Sequence, residues 1–234
     1  MAVHFIREVD RLKQRILALG GIVETQLHSA VQALHERRRD QALMVIDGDA
    51  EVDRTEVDIE EECLKILALH QPVASDLRFI IAVLKINNDL ERIGDLSVNI
   101  ARKAAALSQY TDFSFPFDFH EMSRRTETMV HQSLDSLVHL DSDQARHVCQ
   151  MDEQVNQCKR SARRAAIAFL RRQPEMADPI LRLLGASRNL ERIADLATNI
   201  AEDVVYLVEG HILRHQPPGS EETRHTDLSP RPPE

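Results

Sequence analysis

The chain of 234 residues sets 38 acidic against 29 Lys and Arg residues, a formal charge of -9. It lacks the cationic surplus that neutralises nucleic-acid phosphates or drives broad adsorption to anionic lipid, which argues against a nucleic-acid partner and leaves a membrane reachable only through other proteins. The longest uncharged apolar run, Ile16 to Val23, is far short of the ~20 residues that span a bilayer, and Arg7, Glu8, Asp10 and Arg11 interrupt any signal-peptide core, so the expected location is cytoplasmic.

Before residue 217 the only prolines are Pro72, Pro116, Pro174 and Pro179, and long amphipathic stretches fill the intervals. The spacing of Ile6, Val9, Ile16, Val23, Leu27, Val31 and Leu34 predicts a first helix from Phe5 to Arg37. A second follows from Gln41 to His70. Gln71-Pro72-Val73-Ala74-Ser75 reads as a turn, with Ser75 as N-cap of a third helix from Asp76 to Gln109. Helices four, five and six are expected over Phe119–Leu140, Ser142–Arg172 and Pro179–His211, with Asp178 as the last N-cap and Pro179 at the first helical position. The fold class is all-α: a three-helix bundle over 4–109, an aromatic linker over 110–118, a second bundle over 119–213 and a flexible tail over 214–234. Residues 110–119 hold four of the seven phenylalanines, and the linker is expected to be buried as packing between the bundles. Cys63, Cys149 and Cys158, odd in number and without C-x-x-C spacing, read as reduced packing residues.

The third and sixth helices carry a repeat. Leu90-Glu91-Arg92-Ile93-Gly94-Asp95-Leu96-Ser97-Val98-Asn99-Ile100-Ala101 returns as residues 190–201 with nine of twelve positions identical, so the chain is two copies of one unit. At about 100° per residue, Glu91, Asp95 and Asn99 share one helix face, and Glu191, Asp195 and Asn199 share the equivalent one. On the second helix Asp49, Asp53, Glu56 and Glu60 form a narrow file of carboxylates, which repel unless a cation answers them. If the two helices are antiparallel neighbours, the files meet along a groove of hard oxygen donors suited to Mg²⁺, Ca²⁺, Mn²⁺ or iron. The second copy keeps Asp152 and Asn156 but has Lys159 and Arg163 where the first has Glu56 and Glu60, so its site is expected to be the weaker. The plainer reading is a solvated acidic face, with Arg92 and Arg192 neutralising neighbouring glutamates.

Asp49-Ala50-Glu51-Val52-Asp53, the turn Gln71-Pro72-Val73-Ala74-Ser75-Asp76-Leu77-Arg78 and the doubled E-R-I-x-D-x-x-x-N pattern resemble the PhoU family of bacterial phosphate-signalling accessory proteins, over about residues 4 to 212. The resemblance implies two three-helix bundles and divalent or trivalent metal ions (iron, zinc, magnesium or manganese) on the acidic faces. It assigns them to Asp49, Asp53, Glu91, Asp95 and Asn99 in the first copy, and to Asp152, Asn156, Glu191, Asp195 and Asn199 in the second, where Asn156 departs from the usual Asp. It also implies a homodimer without catalytic activity that links the ATPase subunit of the phosphate ABC transporter to a sensor histidine kinase, repressing the phosphate regulon and limiting uptake when phosphate is abundant.

Two other readings use the same residues. A metal-free helical adaptor has the same fold and partners. A carboxylate-bridged di-metal enzyme needs Glu-x-x-His pairs on its helices, and the one such spacing, Glu222/His225, falls in the expected tail. Glu24/His28 and Glu127/His131, each four residues apart, read as local surface contacts. No Gly-rich phosphate loop, G-x-S-x-G elbow or H-E-x-x-H occurs.

Overall fold

The computed structural model describes residues 2–110 and 114–210. They form six long helices: α1 (Ala2–Glu36), α2 (Arg39–His70), α3 (Ala74–Leu107), α4 (Phe119–His139), α5 (Ser142–Leu170) and α6 (Ala177–Glu209), with a 3₁₀ turn at Pro174–Met176. There is no strand among the described residues. The predicted helices are all present, their ends within a few residues of expectation. The expected tail, and the last residue assigned to helix six, lie outside the described residues.

Helix α1 shows why the sequence folds this way. Leu12, Ile16, Leu19, Val23, Leu27, Ala30 and Leu34 recur every three or four residues, and all are essentially fully buried. Helices α3 and α6 are buried on most of their circumference and pack antiparallel at the centre, with Lys85 beside Asp203 and Lys103 beside Gly185. Around this pair, α1 and α2 complete the first half, α4 and α5 the second, and α1 also touches α4. An approximate twofold axis relates the halves. Their buried side chains merge into one continuous core, so the two bundles share an interior.

Loop chemistry fixes several ends. The Asp118 carboxylate accepts the Glu121 N–H at 2.9 Å and starts α4, and Asp141 accepts the Asp143 and Gln144 N–H groups to start α5. Gln71 closes α2 in the left-handed region at φ 46°, its N–H on the Leu67 carbonyl. Two expected caps are corrected. Helix α3 begins at Ala74 with Val73 as its N-cap, so Ser75 lies inside it. Because the 3₁₀ turn runs directly into α6, Asp178 is already helical; its carboxylate accepts the Tyr110 hydroxyl at 2.6 Å and Arg182 Nε at 2.8 Å. Tyr110 thereby ties the end of the first half to the start of α6. Phe115 and Phe117 pack against the core and Phe119 is fully buried, as the aromatic composition of the linker predicts. All three cysteines are free, and burial pushes the Cys63 thiol up to about 12 and the Cys149 thiol up to about 11.

Candidate functional site

The acidic files meet where helical spacing places them. Asp49 and Asp53 of α2 face Glu91 and Asp95 of α3. Desolvation, followed by the charges of Asp95, Glu56, Asp53 and Asp49, raises the Glu91 carboxyl above its usual range. Asp49 is raised by burial against an opposing hydrogen bond from Gln26, and Glu56 by burial and then Glu60 and Asp53. In the second half Asp152, Glu191 and Asp195 are similarly coupled, with Asp152 and Asp195 both raised chiefly by burial and then by Glu191.

Protein donors engage some of the oxygens in these grooves. Gln26 Nε2 donates to Asp49 Oδ1 at 3.1 Å, and Arg102 Nη1 to Asn99 Oδ1 at 3.0 Å. In the second half Lys159 Nζ donates to Glu191 Oε1 at 2.6 Å, and Asn156 Nδ2 to Asp152 Oδ2 at 2.8 Å. Among the described residues no group of three or more His, Cys, Asp or Glu side chains is placed to hold a metal ion. The metal expectation is therefore corrected: Asp49, Asp53, Glu91, Asp95 and Asn99, and likewise Asp152, Asn156, Glu191, Asp195 and Asn199, line acidic grooves that do not form centres for iron, zinc, magnesium or manganese. The predicted ranking of two metal sites falls with it. Arg92 is also placed differently: its guanidinium lies 3.9 Å from Asp89, one helical turn back along α3, where an ion pair with Glu91 was expected.

The duplication makes the grooves unequal in their interiors. Gly94 is required in the first half, because a Cβ there would stand 3.1 Å from Gln26 Oε1 and 3.2 Å from Val52 Cγ1. The counterparts in the second half are Ala194, Met129 and Val155. The first groove thus has a polar floor and uncompensated carboxylates; the second has an apolar floor and a lysine across its mouth.

A second constellation joins residues that were expected to make only local contacts. Glu24, His28, Glu127 and His131 do not pair within their helices. His28 Nδ1 lies 3.0 Å from Glu127 Oε1, and His131 Nδ1 lies 2.9 Å from Glu24 Oε1. These crossed pairs, related by the twofold axis, stitch α1 to α4 around a cleft of about 520 Å³. Only a shared offset of 103 residues marks the four in the sequence. Among the described residues, no helix is long and apolar enough to cross a membrane.

The model of the PhoU domain matches residues 16–104 and 119–204, one match for each half. The phosphate-specific transport system accessory protein PhoU homolog of Pseudomonas aeruginosa is 37% identical over 212 residues, covering 90% of this chain and 88% of that protein. The accessory protein PhoU of Escherichia coli is 34% identical over 213 residues, again covering 90% and 88%. Crystal structures of PhoU from Pseudomonas aeruginosa and of the phosphate transport system regulatory protein PhoU from Streptococcus pneumoniae superpose with TM-scores of 0.85 and 0.82. Their identities are 38% and 30%, and they cover 88% and 89% of this chain and 100% and 99% of their own.

Proposed function

The chain belongs to the PhoU family, and on that premise we propose that it links the ATPase subunit of the phosphate ABC transporter to a sensor histidine kinase, so that the phosphate regulon is repressed and uptake limited when phosphate is abundant. Its general role is regulation of the phosphate regulon, and it is a regulatory protein with no catalytic activity of its own. The observation that carries the reading is the family match on both halves, together with relatives that align over nearly their whole length.

In this reading the chain works in the cytoplasm as a homodimeric helical adaptor, built from units at 4–109 and 119–213 joined by 110–118. The first acidic groove, with Asp53, Glu91 and Asp95, is the face that receives a basic segment of a partner. Its uncompensated charge supports that assignment, since complementary charge steers association and fixes orientation. The second groove, closed by Lys159, is excluded from that role.

The test is a co-purification from phosphate-replete cells. Both the ATPase subunit and the kinase should be recovered with the tagged chain, and deletion of the gene should raise phosphate-regulon output in high phosphate. Asp53→Lys combined with Glu91→Lys should lose one partner while the protein remains folded. Unchanged regulon output in a host that depends on this chain would overturn the reading. Light scattering of the purified protein checks the dimer.

A further inference from the structure

A cleft of about 620 Å³ lies between α4 and α5 in the second half, away from the acidic grooves. Arg125, Gln154, Gln157, Arg160, Ser161 and Arg164 line it. On α5, Gln154, Gln157, Ser161 and Arg164 fall at i, i+3, i+7 and i+10, so one helix face supplies side-chain donors to the cleft while Arg125 comes from the facing helix. No carboxylate and no aromatic ring is among the described residues that line it.

Glutamates at the rim hold two of the guanidinium groups. Arg125 Nε donates to Glu121 Oε1 at 2.7 Å, and the same arginine reaches Gln154 Oε1. Arg160 Nη2 donates to Glu153 Oε1 at 2.5 Å. Each guanidinium carries five N–H donors, so these bonds orient the groups without exhausting them. Arg164 is exposed and has no ion pair among the described residues. The remaining lining group, the Cys158 thiol, is held in its neutral form by burial, which raises it above the usual cysteine range.

The duplication supplies an internal control. At an offset of 103 residues the lining positions correspond to Ile22, Glu51, Arg54, Val57, Asp58 and Glu61. The same place in the same fold therefore carries three carboxylates and one arginine in the first half, against three arginines and no carboxylate in the second. The helices follow suit: α2 has ten acidic and three Lys or Arg residues, whereas α5 has three acidic and five. The fold does not require a basic cleft here; the second half alone has one.

Guanidinium forks, amides and a hydroxyl, with the two glutamates confined to the rim, suit an oxyanion offering several oxygens. The absence of an aromatic face removes the platform on which a nucleobase would stack. The volume falls within the ~300–1,000 Å³ of small-molecule sites, which favours linked phosphoryl groups over one isolated ion. We propose that this cleft binds a small polyanion of linked phosphoryl groups, coordinated by Arg125, Arg160 and Arg164. The inference concerns binding by the purified chain and does not rest on the regulatory reading above. Because the protein as a whole is anionic, the interaction is local and weakens steeply with salt.

Titration calorimetry of the full chain with tripolyphosphate at low ionic strength tests this. Saturable binding at one site per chain is expected, with inorganic phosphate at least tenfold weaker. Arg164→Gln and, as a second variant, Arg160→Gln should each weaken tripolyphosphate roughly tenfold with unchanged thermal unfolding, since a charge-assisted hydrogen bond is worth about one such factor or more. Arg54→Gln, at the counterpart of Gln157, should change nothing. Absence of saturable binding, indifference to both cleft variants, or an equal loss with Arg54→Gln would overturn the proposal. So would tighter binding of a phosphoserine peptide than of tripolyphosphate, which would identify the cleft as a docking site for a phosphorylated partner.

Discussion

Lys85 of α3 places its ammonium 2.9 Å from the carboxylate of Asp203 on α6, a residue only 2% exposed, and the twofold counterpart of this contact has lost both charges' roles: Gly185 replaces the lysine and Lys103 the aspartate. Lys103 lies across the space that Gly185 leaves open and donates to the Asn99 carbonyl, while burial and then Arg102 hold its ammonium below the usual lysine range. The seam between the halves is therefore locked at one end by an ion pair and at the other by packing.

Removing Lys85 takes the ammonium at 2.9 Å away from the buried Asp203 carboxylate. Loss of one partner of a fully buried pair costs about 3–5 kcal/mol, and the partial exposure of Lys85 reduces this to about 2–3 kcal/mol. Lys85→Met should lower Tm by roughly 5–10 °C for a chain of this size. Lys85→Met combined with Asp203→Leu should recover part of the loss. Differential scanning calorimetry of the three variants measures both effects.

Gly94→Ala should destabilise although alanine is the better helix former. The gain in propensity is about 1 kcal/mol, but the new Cβ meets Gln26 Oε1 and Val52 Cγ1 at 3.1 and 3.2 Å, where overpacking costs about 1–3 kcal/mol. Ala194→Gly should also destabilise, through lost propensity and packing. Denaturant unfolding that found Gly94→Ala stabilising would show that Gln26 moves aside freely.

Acid should weaken the junction at His35. Its ring packs against Phe119 and His120, with centroids 5.3 and 5.1 Å away, and its Nε2 is buried without a hydrogen-bond partner. Desolvation, then the charge of His120, lowers its pKa, against the opposing charges of Asp118 and Glu36. The unfolded chain then takes up the proton first, at about pH 6.5, so the contribution is fully present above that pH and declines as pH falls towards the lowered folded value. Chemical denaturation between pH 7.5 and 5.5 should show this decline, and His35→Phe should flatten it.

Glu91→Gln should stabilise the protein at pH 7. The carboxyl is raised in the folded state, so its charged form is penalised. The penalty grows as pH rises from the unfolded value through the folded one and disappears in more acidic solution. Relief of neighbouring repulsions is worth about 0.3–0.5 kcal/mol each, a Tm gain of ~1–2 °C. The gain should shrink at high salt and vanish near pH 4, which melting curves under the three conditions resolve.

The number, order and approximate ends of the helices were legible because apolar spacing and proline leave little choice, and the acidic grooves were legible because i, i+4 spacing survives folding. The caps assigned to Ser75 and Asp178 were not, since a cap depends on where the backbone first turns helical, and the 3₁₀ turn at Pro174–Met176 moved that point upstream. The histidines were misplaced for a different reason. Glu24 and His28 have ideal spacing for a pair within one helix, but Glu127 lies closer across the α1–α4 seam, and a single sequence does not reveal that choice. The metal expectation failed on points that spacing cannot supply: among the described residues no three carboxylates converge on one position, and Gln26, Arg102, Lys159 and Asn156 direct donors at Asp49, Asn99, Glu191 and Asp152.

The sign reversal between α2, with a surplus of seven acidic residues, and α5, with a surplus of two basic ones, gives the molecule a shape that is nearly symmetric and a charge distribution that is not. A partner recognising shape alone would meet two equivalent ways to dock, turned by half a revolution. The electric dipole across the axis removes that degeneracy, favouring one orientation during approach and before any side chain touches.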